Sequence, residues 1–177
     1  MKLDTKKLAL NALFAVIALV IFIVESQIPL PFLAPGLKLG LANIVTLFVI
    51  FLGEKWTKRD IFLIFLTRTL LAALITGQAT SLFFSFTGGF FAIVVMLILK
   101  KLDKSKTLPI PIVSVSGALA HNVGQVAAAA VVMRSFAVFA YLPVLIAGGV
   151  ISGLLTGFAV HFIFKKRPKF INFLTSW

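Results

Sequence analysis

Apolar residues gather into six runs along the chain: Leu8–Val24, Leu39–Leu52, Ile61–Ile75, Leu82–Leu99, Ile110–Met133 and Tyr141–Phe164. A helix needs about 20 mainly apolar residues to cross the roughly 30 Å hydrocarbon core of a bilayer. The second and third runs are short for that. If they formed a re-entrant hairpin, the loop Glu54-Lys55-Trp56-Thr57-Lys58-Arg59-Asp60 would lie in hydrocarbon, at about 2.5–3.5 kcal/mol for each central charge. Two short, membrane-thinning spans fit better. The pattern therefore predicts an all-α integral membrane protein, one domain over residues 1–177 with six transmembrane helices.

Polar residues interrupt two of these runs. In the fifth, His121 and Gln125 stand one helical turn apart with Asn122 beside them. Ser114, Gly117, Ala118, Gly124 and Ala128 fall on or beside the same face, while Val115, Leu119 and Val126 point elsewhere. Polar side chains at membrane depth face a bundle interior or a cavity. Two readings are open: a small-residue seam glued by hydrogen bonds, and a ligand site. In the third run, Arg68 lies about 10 Å from the start and His121 about 13 Å from Ile112, so both sit near mid-membrane. All five acids lie at helix ends or in loops. Glu25 is the nearest acid that could reach Arg68; the alternatives are a structural contact to Glu25 or a carbonyl, and a ligand-facing guanidinium.

The first outer connection, Glu25 to Lys38, reads ESQIPLPFLAPGLK. Its prolines and glycine forbid a continuous helix, yet it is apolar. It reads as a lid bracketed by Glu25 and Lys38, or as a bend resting on lipid. Gly40 and Asn43 follow at the outer end of the second helix. The sixth run carries Gly149, Gly153 and Gly157 at four-residue steps, a ridge for close helix contact. His161, Trp56 and Trp177 read as interfacial side chains.

Composition agrees with the pattern. Of 177 residues 60% are hydrophobic and 12% charged, with mean hydropathy +1.12, more apolar surface than a soluble domain of this size hides. The net charge of +12 does not indicate nucleic acid, because the cations sit in short loops between apolar runs. With the N-terminus inside, Lys2, Lys6, Lys7, Lys55, Lys58, Arg59, Lys100, Lys101, Lys104, Lys106, Lys165, Lys166, Arg167 and Lys169 are cytoplasmic, fourteen of the seventeen. Lys38 and Arg134 stay outside. Both termini are then cytoplasmic, and the first run is a retained helix rather than a cleaved signal.

Several chemistries lack their parts. There is no cysteine, hence no disulfide or thiolate site. No phosphate-cradling glycine loop is present. Two histidines and five scattered acids assemble neither a zinc site nor a catalytic triad. No catalytic residue, metal or cofactor is expected.

The segments Pro35–Phe48 (PGLKLGLANIVTLF), Arg68-Thr69-Leu70-Leu71 and Ala120-His121-Asn122-Val123-Gly124-Gln125 resemble a bacterial membrane family labelled heptaprenyl diphosphate synthase component I, also called the Gx transporter family. Its six-helix layout is similar to that of the substrate-binding S components of energy-coupling factor (ECF) transporters. The resemblance implies a multi-pass protein of the bacterial plasma membrane, with an outward pocket capped by the first outer loop. By that likeness Pro29–Lys38 is the lid and His121, Asn122 and Gln125 line the pocket. Arg68, Asn43, Lys38 and Glu25 complete the expected ligand-binding set. The partners implied are a small or lipid-like, anionic or polar ligand and energising transmembrane and ATPase subunits. The synthase label implies instead a non-catalytic membrane subunit of prenyl diphosphate or menaquinone biosynthesis. S components dock partners through an Ala-x-x-x-Ala face on the first helix; here Ala9, Ala12, Ala15 and Ala18 fall at three-residue steps.

Overall fold

The computed structural model describes residues 5–27, 40–53, 55–77, 79–103 and 107–176, without the side chains of 79–81. Seven α-helices account for most of them: α1 (Thr5–Ser26), α2 (Asn43–Phe51), α3 (Lys58–Thr76), α4 (Ala79–Leu102), α5 (Ile110–Met133), α6 (Leu142–Lys166) and α7 (Pro168–Thr175). A 3-10 helix, Phe136–Tyr141, leads into α6. No strand occurs among the described residues. Among the described residues four helical stretches are long and apolar enough to cross a membrane: Thr5–Ser26, Leu82–Leu102, Ile110–Met133 and Phe136–Lys166. α3 has the length, with 19 residues, but carries Lys58, Arg59, Asp60 and Arg68.

The second run departs most from expectation. Its helix has nine residues, about 13 Å, which is half a span rather than a short whole one. Six consecutive residues, Val45 to Ile50, are buried, as a helix apolar on every side requires. α2 stands at the centre of the bundle and touches α1, α3, α4, α5 and α6. Those five pack in the order α1–α3–α4–α5–α6 around it, and α1 does not pack on α6. The ring is open at that one seam.

α5 keeps its expected bounds, and its small and polar face is buried at Ser114, Gly117, His121, Asn122, Gly124, Gln125 and Ala128, while its other side is only partly exposed, with Val115 and Leu119 half-buried. It lies between α4 and α6, so Val126 is fully buried. Gly117 faces Met96 of α4, where a Cβ would approach Met96 Cγ to 2.7 Å. On the opposite side the α6 glycine ridge makes the predicted close contacts. A Cβ on Gly153 would come within 2.7 Å of Val115 Cα, and one on Gly157 within 2.5 Å of Pro111 Cα. Ser114 and Thr156 hydroxyls add a 2.9 Å bond between the same two helices.

One end of the bundle is fastened by charges. Thr57 and Asp60 form a capping box at the start of α3, Lys7 of α1 pairs with Asp60 at 2.7 Å, and Asn11 donates to it at 3.2 Å. Lys100 of α4 donates to the Ile50 carbonyl at the C-terminal end of α2, where a helix carries partial negative charge. Trp56, beside the basic Lys55, Lys58 and Arg59, faces inward. It is buried, 5.3 Å from the Phe14 ring, because the turn before α3 folds under α1. Trp177 lies outside the described residues.

Candidate functional site

The half-length of α2 sets the geometry of the site. Its N-terminal end stops inside the bundle, level with the middle of α5, and there Asn43 Nδ2 lies 3.2 Å from His121 Nδ1. With the amide oriented to donate, Nδ1 accepts and the ring proton belongs on Nε2. The ring fits a slot between two glycines. A Cβ on Gly40 would come within 2.9 Å of His121 Cδ2, and one on Gly88 of α4 within 3.0 Å of Cε1. Gly40 has φ +80°, a conformation that glycine adopts without strain. Its backbone N–H donates to Glu25 Oε1 at 2.6 Å, so the end of α1 is clipped to the residues that lead into α2.

Arg68, midway along α3, is only 3% exposed. Its guanidinium packs over the Phe65 ring at 5.4 Å and near the Phe22 ring at 6.0 Å. Glu25 and His121 both lie within its electrostatic reach. Nε and Nη2 make no hydrogen bond with any described residue. A buried donor left unsatisfied costs about 1–3 kcal/mol, more when the group is charged. The N-terminus of α2 adds the partial positive charge of a helix end, so the centre of the bundle favours a negative group.

The remaining expected residues divide. Gln125 is fully buried one turn beyond His121, and a Cβ on Gly88 would come within 2.8 Å of its Cγ. It therefore shares the α4 side of α5 with His121. Asn122 turns the other way. Its Nδ2 donates to the Leu145 carbonyl, and a Cβ on Gly149 would lie 2.5 Å from that nitrogen. Its contacts are those of a bond between α5 and α6. Lys38 and most of the expected lid, residues 28–39, lie outside the described residues. The aromatic walls Phe22 and Phe65 were not among the expected site residues, although each stands three positions before a charged member, Glu25 and Arg68, on a shared helix face. Among the described residues no three His, Cys, Asp or Glu side chains gather as metal ligands would.

A helical bundle with a lipid-compatible exterior and a buried, cationic and polar centre defines a membrane protein built around an internal polar site. The chain belongs to the family described as Heptaprenyl diphosphate synthase component I, which matches residues 14–163. That range runs from α1 to the last turn of α6, and it includes all three segments that carried the resemblance. No curated protein and no solved structure gives a match.

Proposed function

We propose that this protein is the substrate-binding membrane component of a transporter. It takes a small or amphipathic anionic ligand from the outer face of the bacterial plasma membrane and relies on separate energising subunits. The observation that carries this is Arg68, a buried guanidinium with Nε and Nη2 unbonded among the described residues, in a bundle whose half-helix α2 has its N-terminal end beside His121. Discontinuous helices in transporters present such ends to anionic groups of their substrates. Arg68 meets the acid or carbonyl group of the ligand. His121, Asn43 and Gln125 supply directional hydrogen bonds, and Glu25 holds the approach to α2. Asn122 fixes α5 against α6 beneath the site, and Lys38 belongs to the covering loop. Six spans, with both termini cytoplasmic, put that loop outside.

The family description favours a second reading: a non-catalytic membrane subunit of prenyl diphosphate or menaquinone biosynthesis that presents a lipid-like substrate to a separate enzyme. One experiment separates the two. The protein is purified in detergent and its retained molecules are identified by native mass spectrometry. The thermal stability of wild type and Arg68→Met is then measured with and without the molecule found. A small anion is expected, stabilising wild type by about 2.7 kcal/mol at a hundredfold excess over Kd and Arg68→Met not at all. Unliganded Arg68→Met should be as stable as wild type or more so, since it removes a buried charge whose Nε and Nη2 have no hydrogen bond among the described residues. A retained polyprenyl compound that binds both forms equally would reject the transport reading and support the second.

A further inference from the structure

No described residue fills the seam where α1 and α6 fail to meet. A cavity of about 280 Å³ lies there, with Phe14 and Ile21 of α1 on one side and Val160 and Ile163 of α6 on the other. Phe48 of α2 lies behind it and Phe170 of α7 closes one end. All of these side chains are apolar. We infer that this seam is a binding groove for one acyl chain of an anionic glycerophospholipid, drawn from the leaflet at the basic end of the bundle.

Shape and charge both select that occupant. From Phe14 to Ile21 the groove runs about 10 Å along α1, from about 10 Å to about 21 Å beyond Lys7, so a chain entering at the basic end lies along it lengthwise. An extended hydrocarbon chain fits, and the bilayer presents such chains at the mouth of the seam. The charge lies where a headgroup would follow. Ile163 and Phe170 bracket Lys165, Lys166, Arg167 and Lys169, all exposed. Across the seam Lys6 lies over the Phe173 ring at 5.0 Å. No acidic residue follows Asp103 in the sequence, so α6 and α7 bring cations and no carboxylate to that end, and the nearby Asp60 carboxylate is already held by Lys7 and Asn11.

The groove is separate from the Arg68 centre, and its test uses different residues. Purified protein is incubated with phosphatidylglycerol, with phosphatidylcholine of the same chains, or with farnesyl diphosphate, and adducts are counted by native mass spectrometry. Phosphatidylglycerol should be retained at least tenfold more than phosphatidylcholine. Ile163→Trp and Ile17→Trp, which fill the groove from opposite walls, should each cut that retention tenfold or more. Ile17 is 41% exposed, so its variant decides the matter if Ile163→Trp does not fold. Combined Lys165→Gln, Lys166→Gln and Lys169→Gln should bring the two phospholipids to equal retention. Equal retention of both by wild type, or full retention by Ile17→Trp, would overturn the groove. Displacement of phosphatidylglycerol by farnesyl diphosphate would overturn the glycerolipid and place an isoprenoid there.

Discussion

Asp60 holds three partners with one carboxylate: Thr57 through its N–H at 2.7 Å and its hydroxyl at 2.6 Å, Lys7, and Asn11. Burial alone would push its carboxyl up. The bonds from Lys7, Thr57 and Asn11 outweigh that and hold it below its ordinary value of 3.8. A carboxylate depressed in the folded state contributes stability above its unfolded pKa, and that contribution fades as pH falls through the folded pKa. Asp60→Ala should therefore cost about 1–2 kcal/mol at neutral pH, through a lost cap and ion pair. The gap to wild type should narrow below about pH 4. Thermal melts in detergent at pH 7 and pH 3 measure it, and a gap unchanged at pH 3 would assign the effect to packing instead. The spacing Thr57-x-x-Asp60 advertises this cap, but nothing local announces Lys7 and Asn11 as partners from another helix. Arg68 and His121 were legible for the opposite reason: a polar side chain inside an apolar run requires an explanation from the run itself.

At the scale of elements, legibility followed how locally each boundary is determined. α5 starts after a proline whose ring fixes the first turn and ends at Arg134, in a left-handed conformation at φ 49°, and its range is as the sequence predicts. α2 was misjudged because hydropathy reports what a segment will tolerate around it, not where its helix begins. That start is set by Glu25 on Gly40 and by His121 on Asn43, contacts across 15 and 78 residues that no window contains. α7 was missed although Pro168 opens it and Phe170, Ile171, Phe173 and Leu174 alternate with polar residues at helical spacing. The glycine ridge of α6 was legible as packing, and it makes a quantitative claim. In Gly157→Ala the new methyl meets backbone, Pro111 Cα, at 2.5 Å; a backbone atom cannot rotate away as a side chain can. The variant should lose about 1–3 kcal/mol, read as a lowered midpoint in thermal or chemical unfolding. An unchanged midpoint would mean that α5 and α6 stand further apart.

For the whole molecule, composition was enough to fix the class, and it could not fix neighbours. Nothing in the sequence says that α1 lies beside α3 and not α6, because every apolar face fits lipid as well as protein. The orientation rests on the basic loops and is open to direct measurement, since the chain has no cysteine of its own. Single cysteines at Thr57, Ser105, Gln78 and Ser135 should divide cleanly in intact cells. A membrane-impermeant thiol reagent should label only Gln78→Cys and Ser135→Cys, and labelling of Thr57→Cys from outside would defeat the six-span arrangement. The half-length of α2 also has an electrical consequence. Below Asn43 its buried side chains run Val45, Thr46, Leu47, Phe48, Val49 and Ile50, and the rings of Phe14, Phe48, Trp56 and Phe164 pack edge-on or tilted toward the basic end. A charge leaving the centre in that direction would cross a mainly apolar layer, where Thr46 is the hydroxyl on α2 and those of Ser114 and Thr156 are bonded to each other, at the several kcal/mol that hydrocarbon exacts. The centre and the basic end are thus two terminals separated by an insulator. A charged group at the centre would therefore reach the basic end only with that insulating layer displaced.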